Sequence, residues 1–285
     1  MTEPDAIPAS APAADWPERT WHLCLGYDGT AFHGWQVQPA QRTVQGQLLQ
    51  RLTRLFRAPG LQLSATSRTD AGVHALDQHV SFSVPSPPDL DAESLRRRLN
   101  RWLPADIRVT AVREESAGFT ARHANCGKAY TYCLYQGEKV SPLFARFVWP
   151  LPQRLDLEAM QRAGLLLEGE HDFASFAANP RREVESTVCR LHQVRVLPLD
   201  DLVCVSVLGN RFLYKMVRGL VGYLVHVGYG KAPPKSVLQV LAAVQRGAAA
   251  QSAPAAGLFL GRVFFSEAER LEYTPRLPPF AWDGR

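Results

Sequence analysis

Residues 67–74 read SRTDAGVH and place a carboxylate, Asp70, two residues after a guanidinium, Arg68, and four before an imidazole, His74. A carboxylate can attack or stabilise an electron-poor carbon and can accept a proton in a later step. The planar arginine fork can grip phosphate and stack on a base. An ordinary hairpin turn would use the same Asp and Gly for its geometry, although such a connection is usually shorter and less apolar. Asp70 with His74 resembles a hydrolytic pair, but one His near one Asp more often forms a hydrogen-bonded loop contact.

The elements around that loop must position it. Residues 21–27 (WHLCLGY) alternate as a strand and stop at the Asp28-Gly29 turn signal. Thr43 is placed to cap a helix through Phe56, with Val44, Leu48, Leu52, Leu55 and Phe56 on one face. Strands are expected over 61–66 and 78–84, on either side of the loop. A second helix from about Asp91 presents Leu95, Leu99 and Leu103 before Pro104, and residues 107–112 (IRVTAV) read as a strand. This β-α-β-β-α-β order is the split-βαβ, or ferredoxin-like, pattern.

The second half repeats it. A strand over 129–135 (AYTYCLY) precedes a helix near Asp156 to Leu167, strands around Thr187 to Val196 and Leu202 to Leu208, and a helix from Arg211 to about Gly228. An inserted helix, Ser236 to Arg246, comes before a last strand near Leu258 to Phe265. The expected fold is α+β: two ferredoxin-like halves forming one extended, mainly antiparallel sheet, with helices on one face and a catalytic cleft on the other. Residues 1–18 are expected to be a disordered leader, 19–115 the N-terminal half carrying the loop, and 116–285 the C-terminal half with a tail.

Composition narrows the function classes. The 285 residues are 46% hydrophobic and 21% charged, enough for a sizeable core and too apolar for a disordered chain. No apolar run reaches membrane-spanning length, and the first residues lack the pattern of a secretory signal, so a soluble cytoplasmic protein is expected. The leader holds four acids and no base, so the net charge of +5 becomes +9 without it. A basic body fits a polyanionic partner. Five cysteines form no C-x-x-C pair, and no His/Cys grouping has zinc spacing, so neither a metal nor a cofactor is expected.

Tyr27-Asp28-Gly29-Thr30, Gly34-Trp35-Gln36, Thr43-Val44-Gln45-Gly46 and Arg68-Thr69-Asp70-Ala71-Gly72-Val73-His74-Ala75 together resemble the tRNA pseudouridine synthase A family. The resemblance continues in family order through Phe119-Thr120-Ala121-Arg122, Tyr130 with Tyr132, Gly169-Glu170-His171-Asp172-Phe173, Phe212 to Arg218, and Gly257-Leu258-Phe259-Leu260. It spans roughly residues 22–265. It implies isomerisation of uridine to pseudouridine at positions 38, 39 and 40 in the anticodon stem-loop of tRNA, with tRNA as partner, a homodimer, and no cofactor.

Carried over by motif, Asp70 is the nucleophile and Arg218 its ion-pair partner, a cation that would keep the carboxylate charged once a flipped base excludes water. Spacing alone puts Arg211, Lys215 and Arg218 on one basic helix stripe. Tyr130 is expected to stack on the target base, replacing lost base stacking, while Tyr132 is expected to face away from it as a core aromatic. The resemblance assigns Arg68 to base flipping. It assigns further RNA contact to Phe119, Thr120, Ala121, Arg122 and His123 and to Arg181 and Arg182. Ser67, Lys128 and Lys215 depart from residues common in the family, and none of them carries the chemistry. Two rival readings stay open: an RNA-binding module in which Asp70 only shapes its loop, and a hydrolase using Asp70 with His74 to cleave the glycosidic bond.

Overall fold

The computed structural model describes residues 16–137, 139–178, 186–245, 248–249, 252–275 and 277–278. The chain divides into two compact units, one ending at Asn125 and the other beginning at Cys126. Residues 1–15 of the expected leader, and Arg181 and Arg182, lie outside the described residues. Among those described, no helix is long and apolar enough to cross a membrane.

The first unit contains β1 (Glu18–Tyr27), α1 (Val44–Phe56), β2 (Ser64–Ala65), β3 (His74–Pro85), α2 (Ala92–Trp102), β4 (Ile107–Glu115) and the single turn α3 (Ala121–Ala124). Its strands are all antiparallel, in the order β4-β1-β3, with β2 also paired to β3. Both long helices start where the side-chain chemistry dictates. The Thr43 hydroxyl accepts from Gly46 N–H at 3.2 Å and the Asp91 carboxylate from Ser94 N–H at 2.6 Å, satisfying donors the first turn cannot. The core gathers Trp21, Leu23 and Leu25 of β1, Val80 and Phe82 of β3, Leu48, Leu52 and Phe56 of α1, and Leu95 and Leu99 of α2, all buried. Instead of the expected six residues, β2 has two, since only Ser64 and Ala65 pair with β3.

The second unit contains β5 (Gly127–Gln136), β6 (Trp149–Leu151), α4 (Leu157–Leu165), β7 (Gly169–Asp172), β8 (Val188–Leu199), β9 (Leu202–Gly209), α5 (Met216–Gly228), α6 (Ser236–Ala243), β10 (Leu258–Phe264) and α7 (Glu267–Leu271). Its sheet order is β10-β5-β9-β8-β7 with every neighbour antiparallel, and β6 adds to β5 in parallel. The chain is thus α+β with mostly antiparallel sheet. Asp156 caps α4, its carboxylate accepting from Ala159 N–H at 2.8 Å.

Two expectations are corrected here. Helix α5 begins at Met216, not Arg211, because Lys215 sits in the left-handed region at φ +58° and Met216 N–H closes a turn on the Leu213 carbonyl at 3.1 Å. Arg211 instead donates from Nη2 to the Ser186 carbonyl at 2.6 Å, so the basic stripe from Arg211 through Lys215 to Arg218 does not exist as one helix face. Tyr130 and Tyr132, two residues apart on a strand paired in unbroken register with β9, share a face rather than opposing one another. Tyr132 is nonetheless fully buried, and Tyr130 is half-buried.

Candidate functional site

Loop 67–74 is held from three sides inside the first unit. From β3, the fully buried Gln78 accepts at Oε1 from the Thr66 hydroxyl at 2.9 Å and from Ser67 N–H at 3.2 Å, and donates from Nε2 to the Ser67 carbonyl at 2.7 Å. From β1, the Tyr27 hydroxyl meets the Thr69 hydroxyl at 2.8 Å. From the segment after β1, Trp35 N–H donates to the Thr69 carbonyl at 3.0 Å and the Phe32 carbonyl accepts from Gly72 N–H at 3.3 Å.

That backbone-to-backbone approach explains two glycines. A Cβ at Gly29 would stand 2.0 Å from the Val73 oxygen, and one at Gly34, whose φ is +87°, would stand 2.7 Å from the Thr69 oxygen. Val73 N–H then closes a four-residue turn on the Asp70 carbonyl at 3.1 Å, with Gly72 at φ +79° in the position that demands it. Asp70 stands half-buried at the first corner of this turn, while Arg68 is exposed. A carboxylate on so constrained a backbone is pre-positioned for attack or proton transfer.

His74 does other work. It is fully buried, and its Nδ1 accepts from Gly29 N–H at 3.0 Å. That nitrogen therefore carries a lone pair, and the 3.2 Å approach of Asp28 Oδ1 to it is a close contact rather than an ion pair. Asp28 spends the same oxygen on Thr30 N–H and the Thr30 hydroxyl, at 3.0 and 2.6 Å. The imidazole thus organises the turn.

Arg68 lines an open cleft of about 360 Å³ together with Trp35, Gln36, Gln45, Phe119, Thr120 and Arg122. Four of the residues expected to touch RNA therefore meet within one unit. The one-turn helix α3 sets them out. Ala121 is buried, its N–H donating to the Ser81 hydroxyl at 2.9 Å, and Asn125 Nδ2 donates to the Ala121 and Arg122 carbonyls at 3.2 and 2.7 Å. Ala121 thus anchors the segment, leaving Arg122 and His123 exposed.

In the second unit, Tyr130 lies on β5 between Leu260 of β10 and Val207 of β9. The Phe212 ring meets it edge-on with centroids 5.0 Å apart, which fixes the tyrosine plane. Arg218, in the first turn of α5, donates from Nε to the Ala253 carbonyl at 2.7 Å. The adjacent Pro254 carbonyl accepts from the Tyr132 hydroxyl at 2.7 Å, and burial pushes that phenol well above its usual range despite the opposing pull of Arg218.

Sequence reasoning missed Gln78, Ser81 and a chain of polar side chains on β1 and β3. His22 Nε2 meets His79 Nδ1 at 2.8 Å, His79 Nε2 meets Asp77 Oδ1 at 3.1 Å, and the Cys24 thiol donates to the same oxygen at 3.1 Å. At the far end His22 Nδ1 meets Glu115 Oε1 at 3.1 Å, and the Phe119 ring lies 5.0 Å from the His22 ring. Burial pushes His22 below the ordinary histidine value, against the pull of Glu115. The available signal was polar residues inside a strand buried almost continuously over 74–82.

Comparison with known proteins finds relatives along most of the chain. The profile of a family described as tRNA pseudouridine synthase matches residues 163–266. A protein of Geobacillus named tRNA pseudouridine synthase A is 36% identical over 241 residues, covering 85% of this chain and 96% of its own length. Proteins of the same name from Halalkalibacterium halodurans and Thermosipho africanus are 39% and 40% identical, over 84% and 85% of this chain and 90% and 97% of theirs.

Proposed function

The chain belongs to the tRNA pseudouridine synthase A family, and from that premise we propose that it isomerises uridine to pseudouridine at positions 38, 39 and 40 of the tRNA anticodon stem-loop, with Asp70 as nucleophile. The reaction breaks the bond from uracil N1 to the ribose, turns the base and joins its C5 to the same sugar carbon. C5 loses its proton and N1 gains one. Substrate and product are isomers, so no oxidant, reductant or group donor is needed.

The observation that carries this reading is loop 67–74: a half-buried carboxylate on a backbone fixed by Gln78, Tyr27 and two glycine contacts, beside a cleft lined by Arg68, Phe119 and Arg122. In this reading Arg68 enters the stem as the uridine leaves and takes its phosphate. Phe119, Thr120, Arg122 and His123 hold the backbone of the stem, Ala121 seats them, and Arg181 and Arg182 extend the contact. Tyr130 stacks on the flipped base, its ring already oriented by Phe212, and Arg218 pairs with Asp70. We read the two units as ferredoxin-like halves of a homodimeric, cytoplasmic enzyme. The dimer follows from size, since a tRNA exceeds one such chain and one subunit can hold its body while the other supplies Asp70. A monomer by light scattering in the presence of tRNA contradicts that part.

The test is tritium release from tRNA labelled at uridine C5, with binding measured in parallel. Wild type releases tritium and Asp70→Asn does not, while both bind. Binding by both without release from any tRNA overturns the reading in favour of a binding module. Free uracil as product would make the protein a hydrolase.

A further inference from the structure

We propose that Cys24, Asp77 and His79 form a divalent-metal site of zinc type that ties β1 to β3, with His22 and Glu115 orienting His79 from behind. No pattern along the sequence announces it, because the ligands come from two strands and meet only through their pairing. Cys24 lies directly opposite His79 in the antiparallel register, and Asp77, two residues before His79, points to the same face.

The donor atoms are already assembled. One thiol sulfur, one carboxylate oxygen and one imidazole nitrogen all lie within 4.8 Å of one another, with Cys24 Sγ and His79 Nε2 each 3.1 Å from Asp77 Oδ1. A tetrahedral zinc about 2.3 Å from sulfur and about 2.0 Å from nitrogen and oxygen separates its donors by roughly 3.3–3.6 Å. The two separations to Asp77 Oδ1 lie within a few tenths of an ångström of those values, and the thiol and imidazole are within 4.8 Å of each other. Sulfur with imidazole favours zinc over magnesium or calcium. A thiolate and a carboxylate neutralise its two charges, which suits a site where Asp77 and His79 are 6% and 9% exposed.

The proposed ligand is also backed by further polar side chains: on its other side His79 Nδ1 meets His22 Nε2 at 2.8 Å, and His22 Nδ1 meets Glu115 Oε1 at 3.1 Å. This is the carboxylate–histidine support that metal-bound imidazoles ordinarily have. Binding releases the Cys24 thiol proton to solvent, with no change in oxidation state.

Three protein donors leave the fourth tetrahedral position to a water molecule, and the ion's role is to brace β1 against β3. Phe119 rests against His22, so a metal holding the relay also steadies the wall of the cleft. The full-length protein, stripped of metal, is titrated with cobalt(II) and then with zinc. One equivalent of cobalt is expected to give a near-ultraviolet thiolate-to-cobalt band that one equivalent of zinc abolishes, and zinc is expected to raise the melting temperature. Cys24→Ser loses both effects, whereas Cys126→Ser, a change in the other unit, keeps them. Should Cys24→Ser fail to fold, Asp77→Asn is expected to weaken zinc at least tenfold in a chelator competition. The proposal is overturned if the folded wild type gives no thiolate band, if the band survives in Cys24→Ser, or if Asp77→Asn binds zinc as wild type does.

Discussion

Loop 67–74 and the segment 119–123 flank the same cleft and are built in opposite ways. The loop is over-determined: a buried glutamine satisfies its start, a tyrosine hydroxyl its middle and a histidine nitrogen its neighbouring turn, and two backbones approach so closely that only glycine fits. The segment is one helical turn fastened at Ala121 and Asn125, with Arg122 and His123 in solvent. The difference teaches a division of labour. On the proposed function, a nucleophile on the loop must be held to a fraction of an ångström before substrate arrives, whereas groups on the segment that track a phosphate backbone act by charge and tolerate movement.

Substitutions can break that comparison. Gly29→Ala is expected to cost about 3 kcal/mol or more in urea unfolding, since its methyl would overlap the Val73 carbonyl, and to abolish turnover. Gly60→Ala, at a positive φ but in open space, is the control and costs about 1 kcal/mol. Next, Gln78→Leu strands the Ser67 backbone groups and is expected to cost about 2 kcal/mol, with slower turnover and unchanged tRNA affinity. If turnover is normal, the loop's rigidity has no catalytic meaning.

Tyr130→Ala is expected to slow single-turnover isomerisation roughly 5- to 150-fold, the kinetic equivalent of about 1–3 kcal/mol of stacking, with Tyr130→Phe close to wild type. Equal losses in both variants would shift the role to the hydroxyl. The smallest effect belongs to the segment: Arg122→Ala weakens tRNA binding uniformly and lowers the slope of log affinity against log salt by about one, leaving the rate at saturating tRNA intact. A large fall in that rate would erase the contrast.

Much of this was legible from local pattern. Thr43, Asp91 and Asp156 announce their helices because a cap and the apolar spacing after it are both short-range features. Asp70 and Arg68 stood out for the same reason, being unlike groups crowded into one connection. Where local pattern misled, a tertiary contact had overridden it. The apolar run after Arg211 looks helical, yet Phe212 leaves helix geometry to pack on Tyr130, and the chain turns through the left-handed Lys215 before α5 begins. Nothing local marks the short strand β7, because its pairing partner, β8, supplies the reason it is a strand.

The sequence by itself determined where α1, α2 and α4 start, which stretches alternate as strands, and which loop carries a carboxylate beside an arginine, since each depends on neighbours within a few residues. Tertiary structure alone decided that Gln78 would hold Ser67, that Gly29 would lie against Val73, and that Cys24 would face His79. These meetings depend on strand register and on how closely two backbones can approach. Register is set by the whole buried face of β1 and β3, Trp21 against Phe82 and Leu23 against Val80, because a slip of one residue would turn every one of those side chains to the wrong side.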